Sequence, residues 1–177
     1  FDFTSQVTSK HEVKVGASAR TDNLEEDNFT VLYNGYEYPQ PTVLPANESP
    51  SHNYYKKQAL FASSYIQDKI EYPDMIINVG IRYDFFDPDD DYVSDLLNPE
   101  GERKQASKKT MVSPRLGVSF PITDEGILHF SYGHFYQIPT LRRLYKTSIF
   151  GANISPIIGN ANLKPEKMVL YEFGLQQ

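Results

Sequence analysis

Short and long connections alternate strictly along this chain, and the segments they join alternate apolar with polar residues. Tight turns fall at residues 9–12, 71–74 and 121–126, interleaved with long polar excursions over residues 22–54, 87–110 and 138–167. This asymmetry predicts strands that cross a membrane. A transmembrane β-barrel has brief turns on one side and extended loops on the other. Its strands are about 9–11 residues long, because a tilted strand of that length spans the hydrocarbon layer.

Seven segments carry the period-2 pattern of a strand with one greasy and one wet face. Phe1, Phe3 and Val7 open the series, followed by Val13, Val15, Ala17 and Ala19. The segment 58–70 is mixed, with Leu60, Ala62, Ile66 and Ile70 on one face and Phe61, Tyr65 and Lys69 on the other, so its lipid side stays open. The clearest segment sets Met75, Ile77, Val79, Ile81, Tyr83 and Phe85 against Asn78, Gly80, Arg82 and Asp84. Tyr83 and Phe85 lie nearer the long loop, where amphipathic rings suit an interfacial girdle. Leu116, Val118 and Phe120, then Leu128, Phe130 and Tyr132, then Val169, Tyr171, Phe173 and Leu175 complete the apolar stripes. If these meet lipid, the opposite stripes line a watery interior. The candidates there are Asn78, Arg82, Asp84, Ser113, Arg115, Ser119, His129, Ser131 and Glu172.

Alternation is also what a soluble β-sandwich shows, since one face of each of its sheets is buried. A sandwich module binding carbohydrate or protein is therefore the rival reading, and the regular alternation of loop lengths argues against it. No run of about 18 apolar residues exists, which removes transmembrane helices, and a mean hydropathy of −0.49 is compatible with a barrel whose loops are polar. A net charge of −6 and a pI near 5.2 argue against nucleic acid, because phosphate binding needs clustered cations.

Chemistry-bearing motifs are sparse. Asp87, Asp89 and Asp91 lie in an acidic run that offers oxygen ligands for Ca²⁺, but the run lacks the usual loop spacing and its plainer reading is a solvated loop. The four histidines show no metal-ligand spacing, and the chain has no cysteine, so no metal centre is expected. Neither an enzyme nor a cofactor is expected either, since no nucleophile elbow, phosphate loop or dinucleotide fingerprint occurs. Tyr33, Tyr36, Tyr38 and Tyr54, in or beside the first long excursion, are candidates to stack on a ligand.

Beyond these patterns, a set of motifs resembles TonB-dependent outer-membrane receptors. They are Tyr65-Ile66-Gln67-Asp68-Lys69, Asn78 through Asp84, Ser113-Pro114-Arg115-Leu116-Gly117, and Tyr132-Gly133 through Tyr136-Gln137-Ile138-Pro139. Asn160 and Asn162-Leu163-Lys164-Pro165-Glu166, leading into Tyr171-Glu172-Phe173-Gly174-Leu175, resembles a segment that such receptors carry late in the barrel. The style is similar to the branch with a carboxypeptidase-regulatory-like extension, common in Bacteroidetes-type bacteria, and to SusC-like transporters. The resemblance implies a barrel of about 22 strands around a plug. Residues 1–177 would be part of that one barrel domain, with plug, TonB box and remaining strands outside this chain. It also implies a bacterial outer-membrane location and uptake of an iron chelate, glycan, peptide or similar ligand into the periplasm. The implied partners are the TonB complex through the plug, outer-membrane lipid and a surface lipoprotein lid. The start at Phe1 without an initiator methionine, and the stop in mid-pattern, read as an excerpt.

Overall fold

The computed structural model describes residues 1–29, 52–98, 101–123, 125–146 and 158–177. In chain order the elements are β1 (Asp2–Gln6), β2 (His11–Phe29), β3 (His52–Tyr72), β4 (Met75–Asp87), β5 (Asp91–Val93), β6 (Arg103–Gln105), β7 (Lys109–Thr123), β8 (Gly126–Gln137), a single helical turn α1 (Leu141–Tyr145) and β9 (Glu166–Gln176). Seven strands form one antiparallel meander in the order β1-β2-β3-β4-β7-β8-β9, while β5 and β6 pair only with each other. Each predicted strand is present. Among the described residues the sheet does not close on itself, and β1 and β9 are its edges.

Local chemistry sets the turns. Thr8 Oγ1 accepts hydrogen bonds from the backbone N–H groups of Lys10 and His11 at 3.2 and 3.1 Å, closing the first turn. Tyr72 and Met75 pair across a two-residue connection, Pro73-Asp74, where proline already holds a turn-compatible φ. Pro114 lies inside β7 and faces Ile81 of β4. The pairing of β7 with β8 begins only at Arg115, so at Pro114 the strand still has one neighbour, the setting in which a missing N–H is tolerated.

Register divides the sheet into two faces and resolves the mixed segment. Ile66 pairs with both Val15 and Ile81, and Ile70 with Ile77, so Leu60, Ala62, Ile66 and Ile70 share the apolar face. Val118 and Phe130 pair in turn, as do Phe130 and Phe173. These side chains do not meet in a dry core: Val79 is 43 %, Ile81 48 % and Phe173 71 % exposed. A sandwich would place a second sheet on them, and no described element does so.

The outermost part of the ladder differs from the expected long loop. β2 and β3 stay paired from His11–Ile70 out to Phe29–His52, well beyond the roughly 10 residues a membrane crossing needs. In this extension the polarity of the faces reverses. Asn23, Glu25, Lys56 and Gln58 now occupy the face that was apolar below, and Leu24, Tyr55 and Ala59 the other. Together with Phe61, Phe86 and Met111, the latter three form a small core against Ala106, Leu144, Tyr145 and Ala161 from the long connections. The described parts of the second and third long connections therefore fold inward, over the polar face. Phe61 and Phe86 meet with ring centroids 4.8 Å apart.

Candidate functional site

All nine candidates for the watery side fall on one face, the one onto which the connections fold. Asn78 pairs with Gly117, Arg82 with Ser113, Ser119 with His129, and Ser131 with Glu172. They form two groups. Toward the loop end, Arg82 grips Asp84 through Nε and Nη2 at 2.8–2.9 Å, with buried Ser113 and exposed Arg115 beside them. Toward the turn end, Asn78 lies level with Ser131 across Gly117, Ser131 Oγ donates to Glu172 at 3.2 Å, and Ser119 and His129 are cross-strand neighbours.

The first group borders a cavity of about 740 Å³ whose roof is the end of β8 and the chain leading into α1, from Tyr136 to Leu141. Sequence reading missed several of its walls. Arg20 and Asp22 contribute an ion pair at 3.0 Å, and Ser18 and Ser63 share a hydrogen bond of 2.8 Å. Arg20 and Asp22 repeat the Arg-x-Asp spacing of Arg82 and Asp84, a signal that was visible in the sequence. A second cavity of about 430 Å³ lies next to the first, and Asn78, Arg115 and Ser131 border it.

Above the cavity, Glu26 ties the extension to α1. It accepts from Tyr55 Oη at 2.8 Å and from Asn28 Nδ2 at 2.9 Å, with Arg142 and Lys146 each 3.9 Å away. Burial alone would raise its pKa, but these hydrogen bonds and cations outweigh burial and hold it below the ordinary glutamate range. Burial, joined by the same contact, pushes the Tyr55 phenol up to about 12. Tyr145 Oη, buried, donates to Pro88 O at 2.7 Å, and burial and the aspartates at 90, 89 and 87 push its pKa up as well.

Asn160 and Asn162 begin to explain their motif. Asn162 Oδ1 accepts from the Ser107 backbone N–H, Ser107 Oγ and Lys109 Nζ at 3.1, 2.8 and 2.7 Å. Asn162 N–H in turn donates to Asn160 Oδ1 at 2.8 Å. One amide thus joins two connections just before β9 starts at Glu166.

The loop candidates fare unevenly. Tyr33, Tyr36 and Tyr38 lie outside the described residues. Tyr54 is a β3 residue opposite Asp27 rather than part of a loop, because the ladder runs on through it. The Ca²⁺ candidates are not assembled. Asp87 takes a hydrogen bond from Asp89 N–H at 3.1 Å and pairs with Lys108 at 2.9 Å, Asp90 pairs with Lys57 at 2.6 Å, and Asp91 enters β5. Among the described residues no three such groups converge. Asp89 itself has φ 44°, a left-handed turn conformation that aspartate tolerates. His129 and His134 point to opposite faces, and His134 Nε2 lies 2.6 Å from Tyr132 Oη on the apolar side. His11 pairs with Asp68 at 2.7 Å.

An apolar face that no described element covers, a polar face overhung by parts of the long connections, and a strictly meandering sheet agree with a family comparison. Residues 1–176 match the family model described as TonB dependent receptor-like, beta-barrel. The chain belongs to this family. It is also 24 % identical over 149 residues to a TonB-dependent heme receptor A of Haemophilus ducreyi, an alignment that covers 78 % of the chain and 18 % of that relative. The aligned part of the chain thus spans less than a fifth of the relative's length.

Proposed function

We propose that these residues form part of the wall of a TonB-dependent outer-membrane transporter that takes a ligand into the periplasm. On this reading the apolar face meets lipid, the polar face lines the lumen around a plug, the short turns are periplasmic and the long connections extracellular. The observation that carries it is the wide apolar face left uncovered on a sheet whose other face is polar and overhung, an arrangement lipid satisfies and water does not. Inward charges such as Arg82 and Asp84 are tolerable only beside water or protein. The reversal of polarity in β2 and β3 supports a water boundary near Thr21 and Leu60, with the extension standing above the bilayer. The TonB complex acts through a plug, and a surface lipoprotein over the loop end belongs to the same proposal. The function is transport rather than catalysis. Heme, named for the Haemophilus relative, stands beside other iron chelates, glycans and peptides as cargo.

The test exploits the absence of cysteine from these 177 residues. In the full-length protein, spin labels on cysteines placed at Val79, Ile81, Phe130 and Phe173 should collide with oxygen and be shielded from an aqueous nickel chelate. Labels at Glu25 and Lys56 should do the reverse. Chelate access to the first set sinks the proposal.

A further inference from the structure

We infer that Arg115 is the anion-recognising group of a site for amphipathic organic acids, meaning a carboxylate on an apolar or aromatic body, in the roofed cavity of the polar face. The inference rests on the reading of that face as the lumen. Three arginines reach this cavity, Arg20 from β2, Arg82 from β4 and Arg115 from β7. Two of them are neutralised in the same way, by an aspartate two residues along the same strand: Arg20 by Asp22 and Arg82 by Asp84. After Arg115 the corresponding residue is Gly117. The cross-strand neighbours of Arg115, Gly80 and Gly133, carry no side chain either.

Among the described residues no carboxylate pairs with Arg115. Arg115 is an exposed residue, and its guanidinium lies over the Phe135 ring, 5.0 Å from the centroid. An aromatic ring behind a planar guanidinium orients it and leaves its outer N–H donors free to grip a carboxylate in bidentate fashion. The approach is open as well. A methyl group at Gly117 would meet only Asn78 Cβ, at an ordinary 3.7 Å, so the wall does not itself demand glycine there. The other surfaces supply the apolar half of the site: Phe61, Phe135, Ile138 and Pro139 line the same cavity. A volume near 740 Å³ is within the usual span for a drug-sized ligand, held by apolar walls and a few polar anchors.

The experiment titrates the full-length receptor, purified in detergent, with 2-naphthoate and with 2-naphthamide, which differ only in the charged group. Calorimetry should show naphthoate binding about tenfold or more tightly than the amide, as expected for a charge-assisted contact. Arg115→Gln should remove that preference by weakening naphthoate alone, and Arg115→Lys should restore part of it. Equal affinity for the two probes, no naphthoate binding by the unaltered receptor, or unchanged naphthoate binding by Arg115→Gln each overturns the inference. A lowered Tm in Arg115→Gln without naphthoate binding by the unaltered protein assigns the residue to a carboxylate of the receptor itself and also overturns it. Spin-label accessibility is read independently, so failure of the lumen reading is distinguishable from failure of this site.

Discussion

Glu26 shows how one carboxylate holds a wall to what overhangs it. Its oxygens take hydrogen bonds from Tyr55 and Asn28 and face Arg142 and Lys146 of the α1 region. Because its folded pKa lies below the unfolded one, the stabilisation is complete above the ordinary glutamate pKa and is lost as the pH falls through the folded value. Hydrogen-exchange protection factors in the 138–146 segment, corrected for the slower intrinsic exchange in acid, should therefore fall as the pH is lowered, and Glu26→Gln should flatten that dependence at a cost of about 1 kcal/mol near neutrality. Protection factors that are insensitive to acid in the unaltered protein contradict this. Asn162 carries a parallel burden: replacing it with alanine strips an acceptor from Lys109 Nζ and from Ser107. The cost should be about 1–3 kcal/mol, as for other groups left unsatisfied, visible as faster proteolysis of the two connections. Asparagine's place in the motif was legible as a boundary signal, but its partners were not, since they lie 53 and 55 residues away.

At the scale of elements, period-2 alternation was legible wherever one face meets one environment throughout. β4 is the plain case: its apolar row runs unbroken from Met75 to Phe85. β3 resisted for a physical reason. Its lower half keeps apolar groups on one face and its upper half on the other, so Phe61 looks misplaced until Phe86 is seen against it. The β5–β6 hairpin and α1 left no comparable trace, because three residues are too few to show alternation and five make little more than one helical turn. The inward-folded core makes a sharp prediction. Phe86 is 1 % exposed, so Phe86→Ala should destabilise the loop end by about 3–5 kcal/mol. Differential hydrogen exchange should find the loss concentrated in residues 101–109, 138–146 and 158–165. A uniform loss over the whole sheet, or none, would contradict the separate core.

For the molecule as a whole, the sheet-edge problem dominates. Among the described residues β1 and β9 each present an unpaired backbone row, which hydrocarbon cannot satisfy, and the apolar face adds a broad sticky surface. The 177-residue segment expressed alone should therefore aggregate without detergent and fail to insert as a monomer into vesicles, as judged by sedimentation and protease protection. A monodisperse, detergent-free monomer would contradict the reading of the sheet as a wall.

The change of sides midway up β2 and β3 also bears on how such a chain can vary in length. One residue inserted between Ala19 and Leu24 would turn every later side chain of β2 about, sending Leu24 into water and Glu25 into the apolar cluster. Two inserted residues would keep each side chain's orientation and merely raise the overhang by one repeat. Drift in the height of this hairpin should accordingly proceed in even steps.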